Sequence, residues 1–264
     1  MSLYSFNDLV ALYRHFGIKK GDIVSLKTDL TRLGMYENPD KKSILEDHVR
    51  ALDSVLDFDH GTVVVATSTT NLCNTDIPYD PIHSASMVGV LTEYIRKQAG
   101  ATRSYHAFES YAALGKHADA LCRNVSRYSY GLDTPEDRLV ISGAKCIALG
   151  VEAKRCCSTV HHMEILSAVP YRYVKEFEHP VQLKDRITDR FFRHVWYLES
   201  DIEKNTDRLF AKMRASGFKM STATIGHSYA QCYLMSDLLC HGMAALRQDP
   251  YICLAYEPRR KCWI

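Results

Sequence analysis

The commonest phosphate-cradling loops are missing from this 264-residue chain. No GxGxxG follows an apolar run and no GxxxxGK(S/T) occurs, so neither a Rossmann-type nor a P-loop nucleotide site is expected. The absence of a GxSxG elbow weakens a serine-hydrolase reading. Nine cysteines are present, but none falls in a CxxC pair, which argues against a zinc ribbon or a thioredoxin-like centre. They read as reduced thiols packed as small hydrophobes, and none has a context that would lower its pKa. No apolar run approaches the roughly 20 residues that a bilayer span needs. The opening MSLYSFNDLVALYRHFGIKKGD lacks a basic-then-apolar leader pattern, so a cytoplasmic protein is expected. A net charge of +2 gives no general attraction to nucleic acid or to an acidic membrane. Basic and aromatic residues do not gather into a nucleic-acid platform either.

What is there is an ordinary globular composition, 46% apolar and 24% charged, in a chain long enough to bury a large core. Helical spacing over 6–16 ends at Gly17, and DIVSLKT (22–28) alternates as a strand. Helical period returns over 42–57, and GTVVVAT (61–67) reads as a buried strand. The polar stretch from 68 to 86 is too long for a tight turn, and loops of that length are often functional. A helix is expected near 87–98, a strand at 109–115, a helix from 116, a buried strand at 145–151 and a short helix at 161–169. After Pro170 the segments YRYVKEF, VQLKDRITD and FFRHVWYLES suggest antiparallel strands, followed by helices at 201–214 and near 228–246. The expectation is one α/β domain over 1–264, a mixed sheet flanked by helices, with a strand-rich region at 170–225.

STVHHMEILSAVPYR (158–172) sets two adjacent histidines before a glutamate. On a helix His161 and Glu164 share a face, so imidazole and carboxylate can meet. The plainer reading is a first helical turn with Glu164 near the positive end of the dipole. His162 lies about 100° round the helix and is expected to pack. A zinc hydrolase using His161, Glu164 and a distant His106 or His227 is an alternative, since three protein ligands and a water satisfy zinc.

Several stretches, in order along nearly the whole chain, resemble the aminoglycoside 3-N-acetyltransferase family. FGIKKGDIVSLKTDLTRLG is similar to its LGV-x-PGD-x-LLVHSSL-x-x-LG, and HGTVVVATST to its GTLVMPT-x-T. DIPYDP, SMVGVLTEYIRKQAGATRSYHAFESYAALG and TPEDRLVISGAKCIALGV continue the likeness. STVHHMEILSAVPYR resembles T-x-LH-x-AE…VPYR, WYLESD a YLE-x-D segment, and IGHSYAQCYLMSDLLCHGMAALRQDP the closing region.

The resemblance implies an α/β fold distinct from the GNAT acetyltransferases, with acetyl-CoA as donor and an amine, usually of an amino sugar, as acceptor. It also implies direct transfer without an acetyl-enzyme. It makes His161 the general base, with Glu164 or Glu199 as a carboxylate partner. His106 matches the histidine of RS-x-HP, although Ala107 replaces the proline, and either sits near the thioester or holds a turn. CoA contacts would fall on Lys27, Thr28 and Asp29, where the family has HSS, and on Thr134, with Ser84 and Ser86 assisting. Lys27 would meet a CoA phosphate, whereas the carboxylate of Asp29 would repel one. Asp76, Asp80 and Asp201 would help to hold a cationic acceptor, as would Glu199 where it does not pair with His161. The departures at Lys27, Asp29, Ala66 and Ala107 leave two readings open: an amine acceptor from glycan or secondary-metabolite synthesis, and a binding protein that has lost turnover.

Overall fold

The β-branched runs at 22–28, 61–67 and 145–151 lie side by side at the centre of one sheet. The computed structural model describes residues 3–198 and 201–259. In chain order it builds β1 (Leu3–Tyr4), α1 (Phe6–His15), β2 (Ile23–Thr28), β3 (Met35–Tyr36), α2 (Lys41–Leu56), β4 (Thr62–Ala66) and α3 (Val90–Arg96). β5 (Thr102–Arg103), β6 (Tyr111–Gly115), α4 (Ala118–Cys122), α5 (Pro135–Ile141), β7 (Lys145–Leu149), α6 (Ala153–Cys156) and α7 (Ser158–Leu166) follow. The last third carries β8 (Arg172–Gln182), β9 (Arg186–Trp196), α8 (Asp207–Ala215), β10 (Ser221–Ile225), β11 (Ser228–Leu234) and α9 (Met235–Gln248).

The main sheet has seven strands in the order β10-β11-β7-β2-β4-β6-β5. β2 runs parallel to β4 and β7, and the outer pairs are antiparallel. Alternation along each strand sends side chains to opposite faces. Val64, Cys146 and Ala148 enter a core covered by α4, α5, α7, α8 and α9. Val63, Val65, Leu26 and Ile147 enter another, beneath α1, α2 and α3. This is the mixed sheet flanked by helices that the periodicities implied. Cys122, Cys146, Cys157, Cys232 and Cys253 are buried free thiols, as their scatter suggested. Among the described residues no helix is long and apolar enough to cross a membrane.

Beyond Pro170 the structure departs from expectation. The middle segment, VQLKDRITD, holds a turn, so the region is one hairpin of two eleven-residue strands that pair with each other. A smaller apolar cluster, with Tyr79, Phe108, Val181 and Phe191, packs this hairpin against the long loop and the His106 turn. The helix expected at 201–214 begins only at Asp207. The helix expected near 228–246 is strand β11 followed by α9. Ala, Gln and Leu in SYAQCYL favour helix locally, but pairing with β7 and β10 overrides that preference. The missed signal was Gly226, which has φ +57° and opens the two-residue turn between Ile225 and Ser228.

Candidate active site

Parallel strands β2, β4 and β7 end on the same side of the sheet, and the chain leaves β2 and β7 toward different neighbours. Open α/β sheets bind ligands in such a crevice. Here a cleft of about 660 Å³ is lined by Lys27 and Thr28 at the end of β2 and Asp29 just beyond it, Ser68 from the long loop, Cys156 at the end of α6 and Ser158 at the start of α7. Lys27 is only 8% exposed, and its Nζ donates to Ser158 Oγ at 2.9 Å. The Asp29 carboxylate accepts from Thr31 and pairs with Arg32 at 3.0 Å, which offsets its repulsion of a phosphate. Burial pushes the Cys156 thiol up to about 12 even with Lys27 nearby, so it is a poor nucleophile.

One turn along α7 from Ser158, His161 is a quarter exposed, and its Nδ1 lies 3.0 Å from Glu164 Oε2. The spacing therefore does bring imidazole and carboxylate together. Glu164 is buried and fully engaged. Its Oε1 accepts from the Tyr171 hydroxyl at 2.9 Å, and Oε2 also pairs with Arg172 Nε at 2.9 Å. Burial pulls the Glu164 pKa upward, but the bond to His161 and the charge of Arg172 outweigh it, and the net direction is down. An ionised carboxylate makes Nδ1 of His161 the protonated nitrogen and leaves Nε2 as a free acceptor. Burial lowers the His161 pKa, against the pull of Glu164, so the neutral ring prevails near pH 7. Tyr130 leans on the imidazole, with ring centroids 5.3 Å apart.

The hairpin reaches this pair through its open end. Arg172 begins β8, Trp196 ends β9, and the two are cross-strand partners with the guanidinium over the indole at 4.8 Å. Sequence reasoning passed over Tyr130, Tyr171, Arg172 and Ser158. Tyr171 and Arg172 stand in the VPYR stretch that carried the resemblance, which was the available signal. His162 is fully buried, with Nδ1 accepting from Gly131 N and Nε2 3.5 Å from Asp137, so it packs as expected.

The other expected site residues stand elsewhere. Thr134 is buried and caps α5, and Ser84 and Ser86 accept from the backbone N–H groups of Asp80 and Val88; none of the three lines the cleft. His106 is buried, its Nδ1 accepting from Phe108 N and Glu109 N while burial lowers its pKa to about 3; it holds a turn. Asp80 accepts from Ile82 N and His83 N, Asp201 from Arg259 N, and Asp76 is exposed where Arg186 meets its carbonyl. Glu199 lies outside the described residues. Among the described residues no three His, Cys, Asp or Glu side chains gather as metal ligands. The zinc-hydrolase set of His161, Glu164 and His106 or His227 is not assembled, because Glu164 is already committed and His227 sits against Gly34.

The sequence profile of the aminoglycoside 3-N-acetyltransferase family matches residues 26–247. Aminoglycoside N(3)-acetyltransferase VII of Streptomyces paromomycinus is 34% identical over 117 residues, which is 43% of this chain and 40% of that protein. Aminoglycoside N(3)-acetyltransferase III of Salmonella is 22% identical over 259 residues, covering 88% of this chain and 87% of the relative. The solved structure of aminoglycoside acetyltransferase AAC(3)-Xa shares the fold at TM-score 0.78 and 21% identity, over 92% of each chain. That of AAC-IIIb, a binary complex with CoASH, does so at 0.77 and 21%, over 94% of this chain and 97% of that one. The fold is the antibiotic N-acetyltransferase type rather than the GNAT type. Sequence profile, sheet order and cleft agree: the chain belongs to the aminoglycoside 3-N-acetyltransferase family, acyltransferases that take acetyl-CoA as co-substrate.

Proposed function

We propose that this protein moves an acetyl group from acetyl-CoA directly to an amine of an amino-sugar or aminoglycoside-like acceptor, with His161 as general base. Acyl transfer to an amine requires that the nitrogen lose a proton and that charge on the thioester oxygen be stabilised. The supporting observation is the His161–Glu164 pair, one helical turn from Ser158 on the wall of the cleft. His161 Nε2 takes the proton of the attacking nitrogen, Glu164 supports the imidazolium, and the same proton then passes to the departing CoA thiolate. Thr28 and Asp29 place the donor at the mouth of β2.

Asp76, Asp80 and Asp201, expected to hold a polycation, point to three separate tasks. Among the described residues, Arg172 and Lys204 act on His161 as positive charges beside Glu164. Thiol release from acetyl-CoA, followed against aminoglycosides and nucleotide-linked amino sugars, tests this reading. His161→Ala is expected to lower turnover about 10²–10⁴-fold, the usual worth of a general base, with little change in CoA affinity. Undiminished turnover in that variant would remove His161 from the role.

A further inference from the structure

Among the described residues, Lys27 is a cation without a counter-ion. Its ammonium meets the Ser158 hydroxyl and, at 5.4 Å, the ring of Tyr111, and no described carboxylate pairs with it. Burying an ammonium with no counter-charge is costly unless a negative charge arrives in use. Its side-chain hydrogen bond to Ser158 spans 131 residues, from the end of β2 to the first residue of α7. Because Nζ is the donor, Ser158 Oγ accepts and its own hydrogen stays available to donate. On the protein side its alternative acceptor is the Tyr111 hydroxyl, which itself donates to buried Glu136 at 2.8 Å. Glu136 also accepts from Thr159 at 2.6 Å, so the start of α7 is tied to α5. Ser158 therefore has a fixed position, an activated hydroxyl and a place on the cleft wall.

Ser158 and His161 are three apart on α7, so their Cβ atoms lie about 5–6 Å from each other on one face. That is the span of a tetrahedral centre whose nitrogen touches the imidazole and whose oxygen reaches the serine. We propose that Ser158 is a catalytic residue that donates its hydroxyl hydrogen to the thioester carbonyl oxygen as negative charge develops there, and that Lys27 positions and polarises it. The inference rests on the acetyl-transfer reading above. In the step, the amine lone pair forms the C–N bond, the carbonyl π pair moves to oxygen, and His161 takes the nitrogen's proton. The pair on oxygen then returns, the C–S bond breaks, and the CoA thiolate receives that proton. Ser158 keeps its own hydrogen throughout.

The test has two readouts. With acetyl-CoA labelled isotopically at the carbonyl carbon, infrared difference spectra of the bound donor read carbonyl polarisation without any acceptor amine. The expected result is a downshifted carbonyl stretch in the wild type, lost in Ser158→Ala and kept in Ser158→Thr, with CoA affinity unchanged throughout. An unshifted wild-type band overturns the proposal while leaving acetyl transfer standing. With an acceptor, Ser158→Ala should lose about 10²–10³-fold in kcat, as oxyanion donors do. The Ser158→Ala/Lys27→Met double variant should be no worse than Ser158→Ala alone, because the two act as one unit. Multiplicative losses, or a Lys27→Met that weakens CoA binding with kcat intact, would make Lys27 an independent phosphate contact and overturn its role. Acetylation of Ser158 in the intact mass would make it a nucleophile and overturn the assignment.

Discussion

At the scale of single residues the site depends on which nitrogen of His161 is bare. Glu164 holds Nδ1, so under the general-base role proposed for His161, Nε2 would face the acceptor amine and activity would require the neutral ring. Burial lowers the His161 pKa below 6.5, and Glu164 partly restores it. The acid limb of kcat/KM is therefore expected below pH 6.5. Replacing Glu164 by Gln removes the influence that raises the imidazole pKa, so the limb should move to still lower pH while kcat falls. A limb that moves up in a pH–rate profile would contradict this assignment of charges. Of this residue-scale picture, the His161–Glu164 pair was legible because three residues along a helix fix a shared face. Tyr130, Arg172 and the Lys27–Ser158 bond were not, since each depends on partners that the chain brings in from another element. Lys27 illustrates the difference. Its charge suggested a phosphate contact, and what the fold adds is a hydrogen bond from its ammonium to Ser158.

At the scale of elements, the cleft exists because strands of unequal length stop together and because their neighbours pack closely beneath. Gly115, at the end of β6, has φ +121°, and a Cβ there would strike the backbone carbonyl of Gly61. Gly115→Ala is expected to destabilise the fold by more than about 2 kcal/mol, combining a forbidden conformation with a backbone clash. Denaturant titration would reveal it as a lower midpoint at unchanged slope. The capping box at α1 is the opposite case. Ser5 and Asp8 exchange bonds at an exposed helix start, and Ser5→Ala should cost only about 1 kcal/mol with activity retained. Local signals of that kind were readable, as were the central strands, whose β-branched runs state their burial. β11 was not, because Ala, Gln and Leu in SYAQCYL favour helix locally and only its pairing with β7 and β10 decides it.

At the scale of the whole molecule, buried neutral histidines couple stability to pH. His48 is fully buried in α2 against the Tyr4 hydroxyl at 3.2 Å, and burial lowers its pKa from 6.5 to about 4. His194 is lowered to about 4 and His106 to about 3 by the same cause. Between those values and 6.5 the unfolded chain binds more protons than the folded one, so stability falls as pH drops through this window. Above pH 6.5 the contribution is complete. For His48 it amounts to at most about 3 kcal/mol. Unfolding free energies at pH 7 and pH 4.5 should show this loss, and His48→Gln should shrink it. An equal loss in that variant would place the acid sensitivity elsewhere.

Sequence by itself determined the layer order, the central strands and the family, because burial periodicity and motif succession are written along neighbouring residues. It also determined that His161 and Glu164 meet, through the pitch of a helix. Tertiary structure decided which hydroxyls and carboxylates face the cleft. Thr134, Ser84 and Asp80 have the right chemistry for a site but are used as caps and turns, because a buried or tightly turned backbone claims the nearest polar atom first. Pairings across more than a hundred residues follow from where strands β2 and β7 end, and no local pattern encodes that.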